Sequence, residues 1–105
     1  MNLNEYQNKA HSTAVYPKEK AFEYLATGLA SEAGEVASLV SKWIRGDGKA
    51  LPITDMKKEL GDVCWALCRL ADDLGFDMED ILQYNHDKLM ARKAAGTIQG
   101  SGDDR

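Results

Sequence analysis

Little in this sequence interrupts a helix. Only two prolines occur among 105 residues, Pro17 and Pro52, and both sit in stretches that read as linkers. Runs of alternating β-branched residues are missing, which argues against strands and so against a sheet. No apolar run approaches the roughly 20 residues that cross a bilayer, and Met1-Asn2-Leu3-Asn4-Glu5 has neither the basic nor the apolar region of a signal peptide. Basic residues are the minority, 13 against 17 acidic for a net charge of -4, and they form no stripe that would hold nucleic acid. The expectation is a soluble cytoplasmic protein that binds neither nucleic acid nor membrane. Cysteine is scarce as well. Cys64 and Cys68 stand four apart on one predicted helix, which suits neither a disulfide within that helix nor a zinc site without further ligands. Both read as reduced, small apolar side chains.

What is present is helical periodicity. A chain of this length holds one domain and buries roughly two-thirds of its unfolded surface. A first helix is expected over 4–13 and a long second one over 18–45, with apolar residues at Phe22, Ala26, Leu29, Ala33, Val36, Val40 and Trp43 or Ile44. Gly46-Asp47-Gly48 would stop it. Thr54 is a plausible N-cap for a third helix, whose stripe is Met56, Leu60, Val63, Leu67, Leu70 and Leu74. Gly75 closes that helix, and Asp77, with Asp80 three residues on, can cap a fourth that ends at Gly96. The fold expected is all-α, four-helix and bundle-like, with a domain over 1–96 and a polar tail over 97–105.

Two stretches of this scaffold echo one another, Ser31-Glu32-Ala33-Gly34-Glu35 and Lys58-Glu59-Leu60-Gly61-Asp62. In each, two carboxylates three residues apart project from one helix face. At about 100° per residue, both pairs lie roughly a quarter-turn from their apolar stripe, in the same rotational sense. Helices joined by a short linker pack antiparallel, and same-sense offsets then fall on one side of the pair. Glu32, Glu35, Glu59 and Asp62 are thereby expected to converge, and like charges so placed need a cation. Ligands that are all oxygen favour Mg²⁺, with Mn²⁺ a possible substitute, and magnesium suggests phosphates. A di-iron bundle would use Glu-x-x-His, and neither His11 nor His86 stands at that spacing. Exposed acids otherwise serve solubility alone. Each glycine beside a pair, Gly34 and Gly61, costs about 1 kcal/mol in helix propensity against alanine, which suggests a need for close approach.

Asn85, Lys88 and Arg92 lie along one line of the fourth helix, and Asn85 and Arg92 interrupt its apolar stripe. Two roles fit them: an ion pair within the bundle, or contact with substrate phosphate or sugar. Lys42, two turns past Glu35, is a second phosphate candidate. Trp43 could stack on a base or belong to the core. Trp65 falls nearly opposite the core stripe, which suggests a subunit interface, with base stacking as the alternative. Tyr6 and Gln7 could reach the same pocket.

Glu32-x-x-Glu35, a gap of 23 residues and Glu59-x-x-Asp62, set in SEAGEV and KKELGDVCWAL, resemble the MazG family of all-α nucleoside triphosphate pyrophosphatases. The similarity extends to Asn4-x-Tyr6-Gln7, to Asn85-x-x-Lys88-Leu89-x-x-Arg92 and to GSGDDR, in the manner of the compact single-domain forms. The resemblance implies hydrolysis of a (deoxy)nucleoside triphosphate to monophosphate and pyrophosphate. It implies Mg²⁺ on Glu32, Glu35, Glu59 and Asp62, and a homodimer or a homotetramer built as a dimer of dimers, with active sites near subunit interfaces. Glu35 or Glu32 would orient or deprotonate the attacking water. Lys88, Arg92 and Lys42 would meet the phosphates. Base-recognition residues of related dUTP and dCTP enzymes do not map cleanly, so base preference stays open. Two alternatives stand beside this expectation: a phosphoribosyl-ATP pyrophosphatase, and a non-catalytic helical module that uses the Trp65 strip.

Overall fold

A computed structural model describes residues 1–46 and 50–105. Its elements are α1 (Leu3–Ala10), α2 (Ala21–Ile44), α3 (Ile53–Asp73) and α4 (Met78–Ala95), with 3-10 turns at His11–Thr13 and Lys18–Lys20. No strand occurs among the described residues, so the all-α expectation holds. Pro17 explains the turn before α2: its carbonyl takes the Lys20 N–H at 3.0 Å in a three-residue closure before the α-helix sets in. Asp47 and Gly48 of the expected stop lie outside the described residues, while Gly46 has the positive φ (79°) of a helix terminator.

Thr54 does not cap α3. The helix starts two residues earlier than that cap implies, at Ile53, with Pro52 in the cap position and its carbonyl accepting from Met56 N–H. Asp77 does hold the cap position of α4, but its side chain makes no capping bond. The N–H groups it leaves are met from α1 instead: Gln7 Oε1 accepts from Met78 N at 3.1 Å and Asn4 Oδ1 from Glu79 N at 3.2 Å. Gln7 is 4% exposed and also donates through Nε2 to the carbonyls of Phe76 (2.8 Å) and Cys68 (3.4 Å). One buried amide therefore joins α1, the end of α3 and the start of α4. Gln7 is thus a structural joint, where the sequence had suggested a place in a substrate pocket.

The main helix contact is α2 along α3. Glu32 of α2 meets Glu59 and Asp62 of α3, while Tyr24, earlier in α2, stacks on Tyr16, which touches Trp65, later in α3. The two helices therefore run antiparallel. Buried positions along α2 are Ala21 and Leu25, so the inward face is turned away from the expected Phe22 and Ala33, which are exposed. A second cluster, Cys68, Ala71 and Met78 with Leu3, Tyr6, Cys64 and Ile81 against it, fixes α1 and the first turns of α4. Both thiols are free; burial, then the neighbouring Cys64, pushes the Cys68 thiol up to about 12, leaving it an inert apolar filler.

The leucine stripe of α3 is not core within one chain. Leu60, Leu67 and Leu74 are 55%, 36% and 49% exposed. Apolar residues encircle most of α3, and α1 and α2 cover only part of that circumference. Beyond its first turns α4 has little contact with α2 or α3 and stands out as an arm. The radius of gyration, 16.7 Å, accordingly exceeds the about 13 Å of a compact chain of this length.

Candidate metal centre

Glu32, Glu59 and Asp62 each bring one carboxylate oxygen within 4.8 Å of the others at an edge of the α2–α3 pair. Glu32 and Glu59 are half-buried and Asp62 is exposed. The trio is the local outcome of two facts already described: acids three apart share a helix face, and the antiparallel pair puts the two faces side by side. Lost hydration in the groove, then the like charges of Asp62, Glu35, Glu32 and Asp55, raise the Glu59 carboxyl above its ordinary range. An all-oxygen set that repels itself suits a hard divalent cation.

Glu35, the fourth acid of the expected set, does not join this group. It is exposed, one turn along α2 from Glu32, yet near enough for its charge to act on Glu59. Gly34 and Gly61 are open: a Cβ built at either meets nothing within 4 Å. No close approach inside this chain requires them. The expected clearance is therefore not a property of the α2–α3 contact.

The other expected site residues fall into two places. Lys42 and Trp43 are exposed in the last turn of α2, Trp43 at 46%, so Trp43 is not core. Asn85, Lys88 and Arg92 lie on the α4 arm, and at 1.5 Å per residue Lys88 and Arg92 stand about 15 and 21 Å beyond Met78 along its axis. They do not meet Glu32, Glu59 or Asp62 of their own chain. Asp103 holds both cations: Lys88 Nζ lies 2.7 Å and Arg92 Nη2 3.0 Å from its Oδ1. Trp65 is half-buried, donating through Nε1 to Thr13 Oγ1 at 2.8 Å and meeting Tyr16 edge-on, so it is not the exposed strip that the sequence suggested.

A polar cluster without a sequence signal lies farther along α3. Arg69 is 4% exposed; its Nε donates to Tyr16 Oη, Nη2 lies 3.1 Å from His11 Nδ1 and Nη1 lies 3.0 Å from Asp72 Oδ2. It ties the connection between α1 and α2 down to α3. Only the separations in sequence, 53 and 58 residues, kept it hidden.

Residues 20–96 match the family model of the MazG nucleotide pyrophosphohydrolase domain. The chain is 40% identical over 114 residues to the Gene 37 protein of Mycobacterium phage L5, with the whole of both chains covered, and that name states no activity. No solved structure matches it significantly.

Proposed function

This chain belongs to the MazG nucleotide pyrophosphohydrolase family, and on that premise we propose that it hydrolyses a (deoxy)nucleoside triphosphate to monophosphate and pyrophosphate with Mg²⁺. The observation that carries the proposal is the convergence of Glu32, Glu59 and Asp62 from two helices inside the matched region. These three would hold the ion, with Mn²⁺ as a possible substitute. Bound there, it would neutralise phosphate charge and act as a Lewis acid toward the phosphoryl oxygens.

Glu35 has a separate role in this scheme. It stands beside the trio but outside it, on the same helix as Glu32, so its carboxylate is available to orient water and accept its proton. Lys42, two turns past Glu35 on the same face of α2, extends that face toward a phosphate, and Trp43 beside it offers an exposed ring. Asn85, Lys88 and Arg92 can serve phosphate or sugar at the carboxylate trio only in a site completed by another copy, since their own chain holds them away from Glu32, Glu59 and Asp62. The exposed Leu60, Leu67 and Leu74 of α3 and Leu82 and Leu89 of α4 repeat every seven residues, a spacing suited to packing against helices of a second chain. A homodimer, or a homotetramer formed from two of them, follows from this reading. No helix among the described residues is long and apolar enough to cross a membrane, and a cytoplasmic nucleotide-pool role is in keeping with the proposed substrate.

A panel of ribo- and deoxynucleoside triphosphates, assayed with Mg²⁺ and resolved by ion exchange, tests the activity. Monophosphate and pyrophosphate are expected. Orthophosphate as the product, or no turnover with any triphosphate, would refute it. Light scattering across a range of concentrations tests the assembly, which a monomer at every concentration would exclude.

A further inference from the structure

The segment after α4 folds back on the helix it follows, and its details are specific. The Asp103 carboxylate sits on both Lys88 and Arg92, and the Asp103 carbonyl accepts from Arg92 Nη2 as well, at 2.5 Å. Arg105 closes the segment on itself: Nε donates to the Thr97 carbonyl (3.1 Å), Nη2 to that of Ile98 (2.9 Å) and Nη1 to that of Gly102 (2.6 Å). Gly100 and Gly102 have φ of 136° and 86°, and a Cβ at Gly100 would come 3.1 Å from Arg105 Cδ. The loop thus takes its shape from Gly-x-Gly and from the arginine that closes it.

We propose that residues 97–105 form a strap that lays the Asp103 carboxylate on Lys88 and Arg92 as an internal anion, which a phosphate-bearing ligand displaces. The inference rests on the reading that these cations serve a triphosphate, and adds that the chain keeps them covered until one arrives. Three features make the contact exchangeable. The Asp103 side chain is 77% exposed while Arg92 is 8% exposed, so the carboxylate can swing into water and leave the guanidinium in place. Arg92 Nε is buried with no hydrogen-bond partner, a donor held in reserve. A cleft of about 320 Å³ opens beside the pair between Tyr84, Asp87, Lys88, Asp103 and Asp104, room for a phosphate group once the Asp103 carboxylate swings out. A phosphate carries more charge than one carboxylate and offers more acceptor oxygens to the same donors. The two cations hold the Asp103 carboxyl below its ordinary range, as an ion pair in place requires.

The test is isothermal titration of the full chain with inorganic pyrophosphate in EDTA, where the carboxylate trio has no cation through which to bind it. Asp103→Asn is expected to bind about two- to fivefold more tightly than the parent, the scale of one exposed ion pair removed from competition. Arg105→Ala, which loosens the strap without touching the cations, shifts affinity the same way. Glu19→Gln, on the exposed turn before α2, changes net charge equally away from the cleft and stays at the parental value, and Lys88→Ala weakens binding. Equal or weaker binding by Asp103→Asn and Arg105→Ala, or no pyrophosphate binding by any form, overturns the strap. Failure of both variants to fold would overturn it too, by showing a purely structural clamp. An absence of triphosphate turnover would refute the activity instead, and leaves the titration readable.

Discussion

Replacing Gln7 with leucine should test the joint that fixes the start of the α4 arm. Leucine keeps the approximate volume but removes the acceptor for Met78 N–H and the donor to the Phe76 carbonyl. Met78 is 2% exposed, so its N–H is left dry, and a buried unpaired group costs about 1–3 kcal/mol. Phe76 is 54% exposed, so water can reach its carbonyl and that loss falls at the low end. The 3.4 Å contact to Cys68 is too long to add much. The sum is about 2–4 kcal/mol, or a fall in Tm on the order of 10–25 °C for a domain of this size. Circular dichroism melts, with urea titrations at low temperature, measure it. A drop under about 4 °C would mean less than about 1 kcal/mol and would refute Gln7 as the joint. KM at a temperature where the variant is folded should match the parent, because Gln7 touches no proposed substrate group.

Two further perturbations separate the metal centre from its surroundings. Because the folded-state pKa of Glu59 is raised above 4.5, its favourable contribution is complete below the unfolded value and is lost as pH rises through the folded one. Melts without metal should therefore show stability declining across that window. Mg²⁺ should offset the decline, and Glu59→Gln should abolish both the pH dependence from this group and the Mg²⁺ response, along with turnover; a Glu59→Gln protein that Mg²⁺ still stabilises would exclude this acid as a ligand. Gly34→Ala and Gly61→Ala meet open space and gain helix propensity, so each should stabilise the isolated fold by about 0.5–1 kcal/mol. A lower Tm in either would show a steric constraint absent from the single chain, and intact folding with lost assembly would place it between chains.

Helix limits at Gly75 and Gly96 were legible because an αL terminator is a local property: φ is 81° and 72° there, and Phe76 N–H and Thr97 N–H return to the carbonyls of Ala71 and Arg92. The meeting of Glu32 with Glu59 and Asp62 was legible for a related reason, since helical phase and a short antiparallel connection leave the carboxylates one side to share. The cap of α4 was not legible. Asp77 has the right residue type in the right place, yet its side chain makes no cap bond, and Asn4 and Gln7 supply the acceptors from 75 and 71 residues away. No local pattern encodes a bond of that reach.

By itself the sequence determined helix type, the glycine-marked helix ends at Gly75 and Gly96 and the shared edge of the acids, because each depends on residues within one or two turns of each other or on a short linker. Tertiary structure alone decided which flank of α3 is covered, leaving Leu60, Leu67 and Leu74 exposed, and that Trp65 turns in against Thr13 and Tyr16. It also decided that Glu35 stands apart from the trio and that Asp103 reaches Lys88 and Arg92. Periodicity gives the angle of a side chain about its own axis. Which neighbour occupies that angle depends on how the helices cross and on where the following segment returns.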